Sequence, residues 1–222
     1  MAAFLVIGLN ALGRRLAREL HDRGHKVTAA DISQDRINRI CHEIPSVVRL
    51  DTTDRDALKE LTVPQFDHVI VCMGHRFEVA ERTTLALRDE KAQGVTNVAT
   101  TEVRAEILRR IGADRVVTPG LDLARNLAVS LDDKRIDRFI FVDDELGFAE
   151  IAVNQPITLT DDWRDLLGDG CVVTGIRREN RSEDSGRAEI ANLAGVCLEV
   201  GDHLLVYGDP EIISERLNRF FK

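Results

Sequence analysis

Positive charge is what this sequence has least of, relative to a protein that must hold polyanions. Thirty Lys and Arg stand against 38 Asp and Glu, leaving a formal charge of −8. No basic stripe stands out to neutralise phosphates, which argues against a general nucleic-acid binder. Metal and disulfide signatures are missing too: Cys41, Cys72, Cys171 and Cys197 are scattered, with no C-x-x-C spacing and no paired His close by in sequence. Buried, reduced thiols of a cytosolic protein are the expectation. No apolar stretch reaches the ~18 residues of a membrane span, and the N-terminus carries neither a basic leader nor a long apolar region. A soluble chain that acts on a membrane only through a partner is expected. Internal repeats and low-complexity tracts are likewise absent.

What is present begins at once. Phe4-Leu5-Val6-Ile7 is short enough for a fully buried parallel strand, and Gly8-Leu9-Asn10-Ala11-Leu12-Gly13 forms a glycine-bounded turn before a helical pattern through Leu20. This is the strand-turn-helix opening of a dinucleotide-binding fold. Gly8 allows the sharp exit from the strand, and Gly13 allows close helix-sheet packing. A phosphate would sit on the free amides at the helix start. The pattern departs from G-x-G-x-x-G at Asn10, which tolerates left-handed angles but brings a side chain into the space. A second strand, Lys26 to Ala30, ends in Asp31, placed to accept hydrogen bonds from a ribose.

Further along, Ser33 is positioned to cap a helix through Ile37, Ile40 and Cys41, closed by Pro45. Val47 to Leu50 reads as a strand delivering Asp51-Thr52-Thr53-Asp54, residues equally suited to face a ligand or to cap a helix. Asp67 to Gly74 is a buried-strand pattern with helix-forming sequence from Phe77 to Glu90 behind it, so Met73 and Gly74 are candidate walls of a pocket. His75 and Arg76 follow; a lone His here reads as a surface or capping residue before a catalytic one. Strands at 95–99 and 114–117 enclose a helix at 102–110 stopped by Gly112, and an amphipathic helix at about 121–131 carries Leu123, Leu127 and Leu131 on one face. Alternation on this scale gives an α/β, doubly wound parallel sheet of Rossmann type over 1–137. The last helix has an apolar face suited to crossing over to a twin subunit.

From Arg138 the rhythm changes. Strands at 139–142, 148–153, 170–178 and 203–208, a short helix at 163–167 and a closing helix at 210–221 describe a smaller α+β domain over 138–222. The polar run 178–187 reads as a solvated hairpin tip.

The order of these pieces resembles the cytosolic regulatory subunits of bacterial Trk- and Ktr-type potassium uptake systems, an RCK N-terminal domain followed by an RCK C-terminal domain. The strings carrying the resemblance are Val6-Ile7-Gly8-Leu9 with Gly13, Gly24-His25-Lys26-Val27 to Asp31-Ile32, Asp67 to Gly74, Ile111-Gly112-Ala113-Asp114-Arg115-Val116-Val117-Thr118-Pro119, and Gly201 to Gly208. It implies a gating subunit without catalytic residues, controlled by an adenine nucleotide (ATP, ADP or AMP) or NAD(H). It also implies a homodimer or an octameric ring of dimers, beneath a potassium-translocating membrane subunit at the inner face of the membrane. The candidate cofactor-binding set is Gly8, Leu9, Asn10, Ala11, Leu12, Gly13, Asp31, Ile32, Asp51, Thr52, Met73, Gly74 and His75, with no metal ligand. Ala11 and Val98 stand where relatives of this kind present basic residues, and Gly120 where some carry an acidic metal ligand. Losing two cations weakens phosphate binding. In the second domain, Pro156-Ile157 with Trp163-Arg164 marks an effector neighbourhood of some relatives; a short helix with an apolar anchor explains it without a ligand. Two alternatives remain: an NAD-linked oxidoreductase, which needs an acid or base partner for His75, and a scaffold of the same fold that has lost nucleotide sensing.

Overall fold

In the computed structural model, residues 1–178, 188–189 and 193–220 are described, and the chain divides into two units, Met1–Leu121 and Asp122–Lys222. The first unit alternates strand and helix: β1 (Ala3–Ile7), α1 (Ala11–Asp22), β2 (Lys26–Asp31), α2 (Gln34–Asn38), β3 (Ser46–Arg49), α3 (Arg55–Glu60), β4 (His68–Val71), α4 (Phe77–Asp89), β5 (Val95–Val98), α5 (Glu102–Arg110) and β6 (Arg115–Val117). The six strands pair in parallel in the order β3-β2-β1-β4-β5-β6.

Successive strand residues face opposite sides, and β1 and β4 are apolar on both. Leu5, Ile7, Val69 and Val71 join Leu58, Ala80, Leu87 and Leu108 of α3, α4 and α5 in one core. Val6, Ile70 and Cys72 join Ala17 of α1 and Ile37, Ile40 and Ile44 around α2 in the other. A continuous apolar run is therefore what the sheet requires, because helices cover both faces.

Two expectations from the sequence need correction. The helix expected through Cys41 stops at Asn38; tight turns follow, with Ile40 and Cys41 N–H groups both bonding the Ile37 carbonyl. Ser33 holds the N-cap position but its side chain makes no capping bond. Ile40 and Ile44 remain buried, so the apolar spacing reports burial rather than unbroken helix. Of the four free cysteines, Cys72 and Cys171 are buried as expected, whereas Cys41 and Cys197 are exposed, on a turn and in a two-residue strand.

The helix α6 (Pro119–Asp132) follows β6, and its residues from Asp122 group with the second unit. There Val129 packs on the core, Asn126 Oδ1 accepts the Phe141 amide at 3.1 Å, and Arg125 lies 3.4 Å over the Phe141 ring. The second unit continues with β7 (Ile136–Phe141), β8 (Gly147–Ala152), β9 (Ile157–Thr158), β10 (Cys171–Arg177), β11 (Ala188–Glu189), β12 (Cys197–Leu198), β13 (His203–Gly208) and α7 (Pro210–Phe220). An antiparallel sheet in the order β11-β10-β13-β8-β7 packs one face on Trp163, Leu167, Ile213 and Leu217. The short helix expected at 163–167 is a single 3₁₀ turn, Trp163–Asp165. The pair β9 and β12 is too short for periodicity to reveal. The run expected as a hairpin tip lies, from residue 179 to 187, outside the described residues.

Two predictions follow from packing. A Cβ at position 13 would sit 2.0 Å from the Gly8 carbonyl oxygen and 3.1 Å from Cys72 Cβ, so Gly13→Ala is expected to destabilise the first unit by about 3 kcal/mol in urea titration. An aromatic disulfide reagent at pH 8 should label Cys41 and Cys197 in the native protein and reach Cys72 only after denaturation, since burial pushes that thiol up to about 12.

Candidate functional site

The order of the sheet reverses between β1 and β4, because crossovers run from β1 outward to β3 and then from β4 outward to β6. Loops leaving the carboxyl ends of β1 and β4 diverge there and open a crevice, as in other doubly wound sheets. It is an open crevice with a cavity volume of about 100 Å³. Its walls come from the ends of four strands: Ile7, Gly8 and Asn10 after β1; Asp31, Ile32 and Arg36 after β2; Leu50, Asp51 and Thr52 after β3; Cys72, Met73, His75, Arg76 and Val79 after β4.

The turn is built from backbone first. Gly8 has φ +90°, and a Cβ there would lie 2.9 Å from both the Cys72 carbonyl oxygen and Met73 Cγ. Asn10 departs from the expected behaviour. Its backbone is extended (φ −66°, ψ −175°) rather than left-handed, and its side chain is consumed by the scaffold. Oδ1 accepts the Gly13 amide at 3.0 Å, capping α1, while Nδ2 donates to the Cys72 carbonyl at 2.8 Å. The amide side chain thus fastens the turn to the end of β4. The amides of Ala11 and Leu12 occupy the first helical positions, which have no intrahelical acceptors.

Asp31 is 5% exposed and already engaged. Oδ2 accepts the Leu9 amide at 2.7 Å and Arg36 Nη1 at 3.1 Å; Oδ1 accepts the Ser33 amide at 2.8 Å. Each carboxylate oxygen offers two lone pairs, so Oδ1 retains one acceptor site. Thr52 is buried at the floor, its hydroxyl 2.8 Å from that of Thr83 in α4. Asp51 Oδ1 accepts the Thr53 hydroxyl and amide; these bonds, with the nearby Arg76 cation, hold its carboxyl below the ordinary value.

Among residues singled out from sequence, the cleft gathers Gly8, Asn10, Asp31, Ile32, Asp51, Thr52, Met73 and His75. Leu9 turns into the core beneath α1. Ala11 opens instead on an arginine-lined hollow with Arg14, Arg15, Arg18 and Arg39, Leu12 is exposed, and Gly13 is buried under the turn. Gly74 faces β5: its carbonyl lies 3.4 Å from Arg104 Nη1, and a Cβ there would meet the Val98 carbonyl. Arg36 and Arg76 were missing from the sequence-derived set. Arg76 adjoins His75 and was visible as a cation at a strand end, while Arg36 gives no signal in a linear reading because the turn after Asp31 brings it back.

The TrkA-N domain family matches residues 4–119. This chain belongs to the TrkA-N family. As a TrkA-N protein it is 30% identical over 154 residues to Ktr system potassium uptake protein A of Bacillus subtilis (strain 168), covering 69% of each chain. It is 25% identical over 214 residues to Ktr system potassium uptake protein A of Vibrio alginolyticus, covering 96% of each. Its fold is that of the GsuK RCK domain, with a TM-score of 0.64 and 18% identity over 96% of this chain and 46% of that one. A structure of the GsuK channel bound to NAD superposes with a TM-score of 0.65 and 17% identity, over 97% of this chain and 39% of the other. The TrkA-N chain therefore spans less than half of those GsuK chains. No helix among the described residues is long and apolar enough to cross a membrane.

Asp51 supplies a pH test. Its depressed native pKa contributes stability above about 3.8 that is lost as pH falls through the native value. Carboxyl ¹³C titration should find Asp51 ionising below its ordinary value, and Thr53→Ala should move the midpoint upward by removing the hydroxyl bond.

Proposed function

We propose that the cleft binds an adenine nucleotide or NAD(H), and that its occupancy regulates a potassium-translocating membrane subunit without any bond being made or broken. The observation carrying this reading is the cleft itself. At the switch point of a TrkA-N sheet, a capped glycine turn, an anchored acidic residue after β2 and two arginines converge on one crevice. Similarity to Ktr potassium uptake proteins supports potassium as the transported ion, and the NAD-bound GsuK channel supports a nucleotide as ligand.

Each residue has a role in this reading. Gly8 through Gly13, with Leu9, Asn10, Ala11 and Leu12 between, form the turn that offers the helix amides to phosphate. Asp31 and Ile32 hold the ribose, Asp51 and Thr52 the base, and Met73 and His75 the opposite wall, with Gly74 turned behind them toward β5. Arg36 and Arg76 supply cations to phosphate, in place of the basic groups missing at Ala11 and Val98. A homodimer, assembled further into a ring, gives the nucleotide something to change: Leu123, Leu127 and Leu131 of α6 are exposed and suited to a twin chain. Regulation then requires the ligand to prefer one assembly state over another. A cytoplasmic location against the inner membrane face follows from the partner. Arg135, ion-paired with Asp133, and His203, hydrogen-bonded to Asp137, lie in the second unit and are structural contacts there.

Calorimetry with ATP, ADP, AMP and NADH tests the cleft, and potassium flux with a Ktr-type membrane subunit tests the consequence. At least one compound is expected to bind, with Arg76→Ala weakening it about tenfold or more through one lost charge-assisted bond. Flux should change on ligand addition in the parent and less in the variant. Silence with all four compounds would leave the fold as a nucleotide-insensitive scaffold. Substrate-dependent NADH oxidation would overturn the non-enzymatic assignment.

A further inference from the structure

The second unit carries an apolar row that its own core does not use. Strand register places Ile140 of β7 beside Phe148 of β8, Phe148 beside Tyr207 of β13, and Tyr207 beside Val172 of β10. Four adjacent strands thus present one rung on the sheet face opposite the core, whose own rung residues are Phe139, Ala149, Val206 and Val173. Ile140 is 50% exposed, Phe148 47% and Val172 41%; the Phe148 and Tyr207 rings pack with centroids 5.0 Å apart. Aromatic and branched side chains set in line on an open face are costly to leave in water and characteristic of binding surfaces.

The surroundings define the occupant. Inward along the strands the next rung mixes Leu205 with Arg138 and the Glu150–Arg177 ion pair. Outward, the same ends of the strands lead into loops bearing Asp143, Asp144 and Glu145 between β7 and β8, Asp209 after β13, and Asp169 before β10. Arg125 and Arg216 are cations at this edge against those five carboxylates; the Arg125 guanidinium is occupied by the Asp143 and Asp144 carbonyls, and Arg216 lies beside Gly168 and Cys171. The row is therefore bordered by concentrated negative charge. An anionic lipid surface is repelled there, and a second copy seated on this face would set two acidic rims against one another.

We propose that this sheet face docks a cationic amphipathic helix of a partner protein. The dimensions agree. Three strand spacings make the row about 14 Å long, and helix positions i, i+3, i+7 and i+10 span about 15 Å. A helix lying across the strands sets one apolar side chain over each rung and turns its basic flank to the acidic loops. The site is within the second unit and stands or falls separately from the nucleotide cleft.

The test uses the full chain and a fluorescein-labelled peptide of about 14 residues, with Leu at those four positions and Lys on the flanks, followed by anisotropy. Saturable binding in the micromolar range is expected. It should weaken about tenfold or more with Phe148→Ser, and likewise with the exposed pair Asp144→Lys and Glu145→Lys, while Arg76→Ala in the cleft leaves it unchanged. Val172→Ser, checked with the others by circular dichroism melting, supplies the apolar variant if Phe148→Ser fails to fold. The proposal is overturned if the peptide does not bind, if apolar-row and rim variants bind like the parent, or if a Glu-flanked peptide binds equally well. It is also overturned if phosphatidylglycerol vesicles bind through this row, or if sedimentation shows that folded row variants halve the particle mass, identifying a second copy as the occupant.

Discussion

The approach of main chain to main chain at the end of β1 governs the first unit. The Gly8 carbonyl, the amide of Gly13 and the Cys72 carbonyl crowd into a space with no room for a Cβ at either glycine. Asn10 then closes the arrangement by bonding to Gly13 on one side and Cys72 on the other. Capping and cross-strand fastening are thereby carried by one side chain. The cleft exists because this junction fixes how far α1 and the loop after β4 stand from each other.

From that junction the electrostatics of the cleft follow. Asp31 is held by two backbone amides and Arg36, so it enters any ligand contact as an oriented carboxylate rather than a mobile one. Such preorganisation lowers the cost of binding. Cys72, by contrast, reaches the cleft wall as an inert thiol, because burial holds it protonated. The opposing charges of Asp51, after β3, and Arg76, after β4, leave the cleft nearly balanced in sign. Nothing in that balance resembles the strongly cationic cradle a triphosphate would favour, which sets the weight on backbone amides instead.

Much of this was legible in the chain. Unbroken apolar runs at Leu5–Ile7 and Val69–Cys72 marked buried parallel strands, because both faces of the sheet are covered, and the glycine turn with Asp31 beyond it marked the switch point. Asn10 was legible only as an irregularity; that its amide would bond the Cys72 carbonyl is a contact 62 residues away in sequence, and no local pattern encodes it. Arg36 escaped for the same reason, since a five-residue helix directs it back over Asp31. Leu9 and Gly74 lie within the right strings but on the wrong side of the backbone to face the cleft, a distinction that depends on strand pleat and turn geometry. The second unit was less legible still: its two-residue strands carry no periodicity, and the apolar row of Ile140, Phe148, Tyr207 and Val172 emerges only from the register of four strands.

The paired hydroxyls of Thr52 and Thr83 have a bearing on ligand choice. Each is both donor and acceptor, and the hydrogen between them points either way. If Thr52 donates to its neighbour, it shows the cleft a lone pair; if it accepts, it shows a hydrogen. The floor can therefore present either polarity to a group laid against it, an amino group or a carbonyl alike, so that any discrimination between them must come from the shape of the walls.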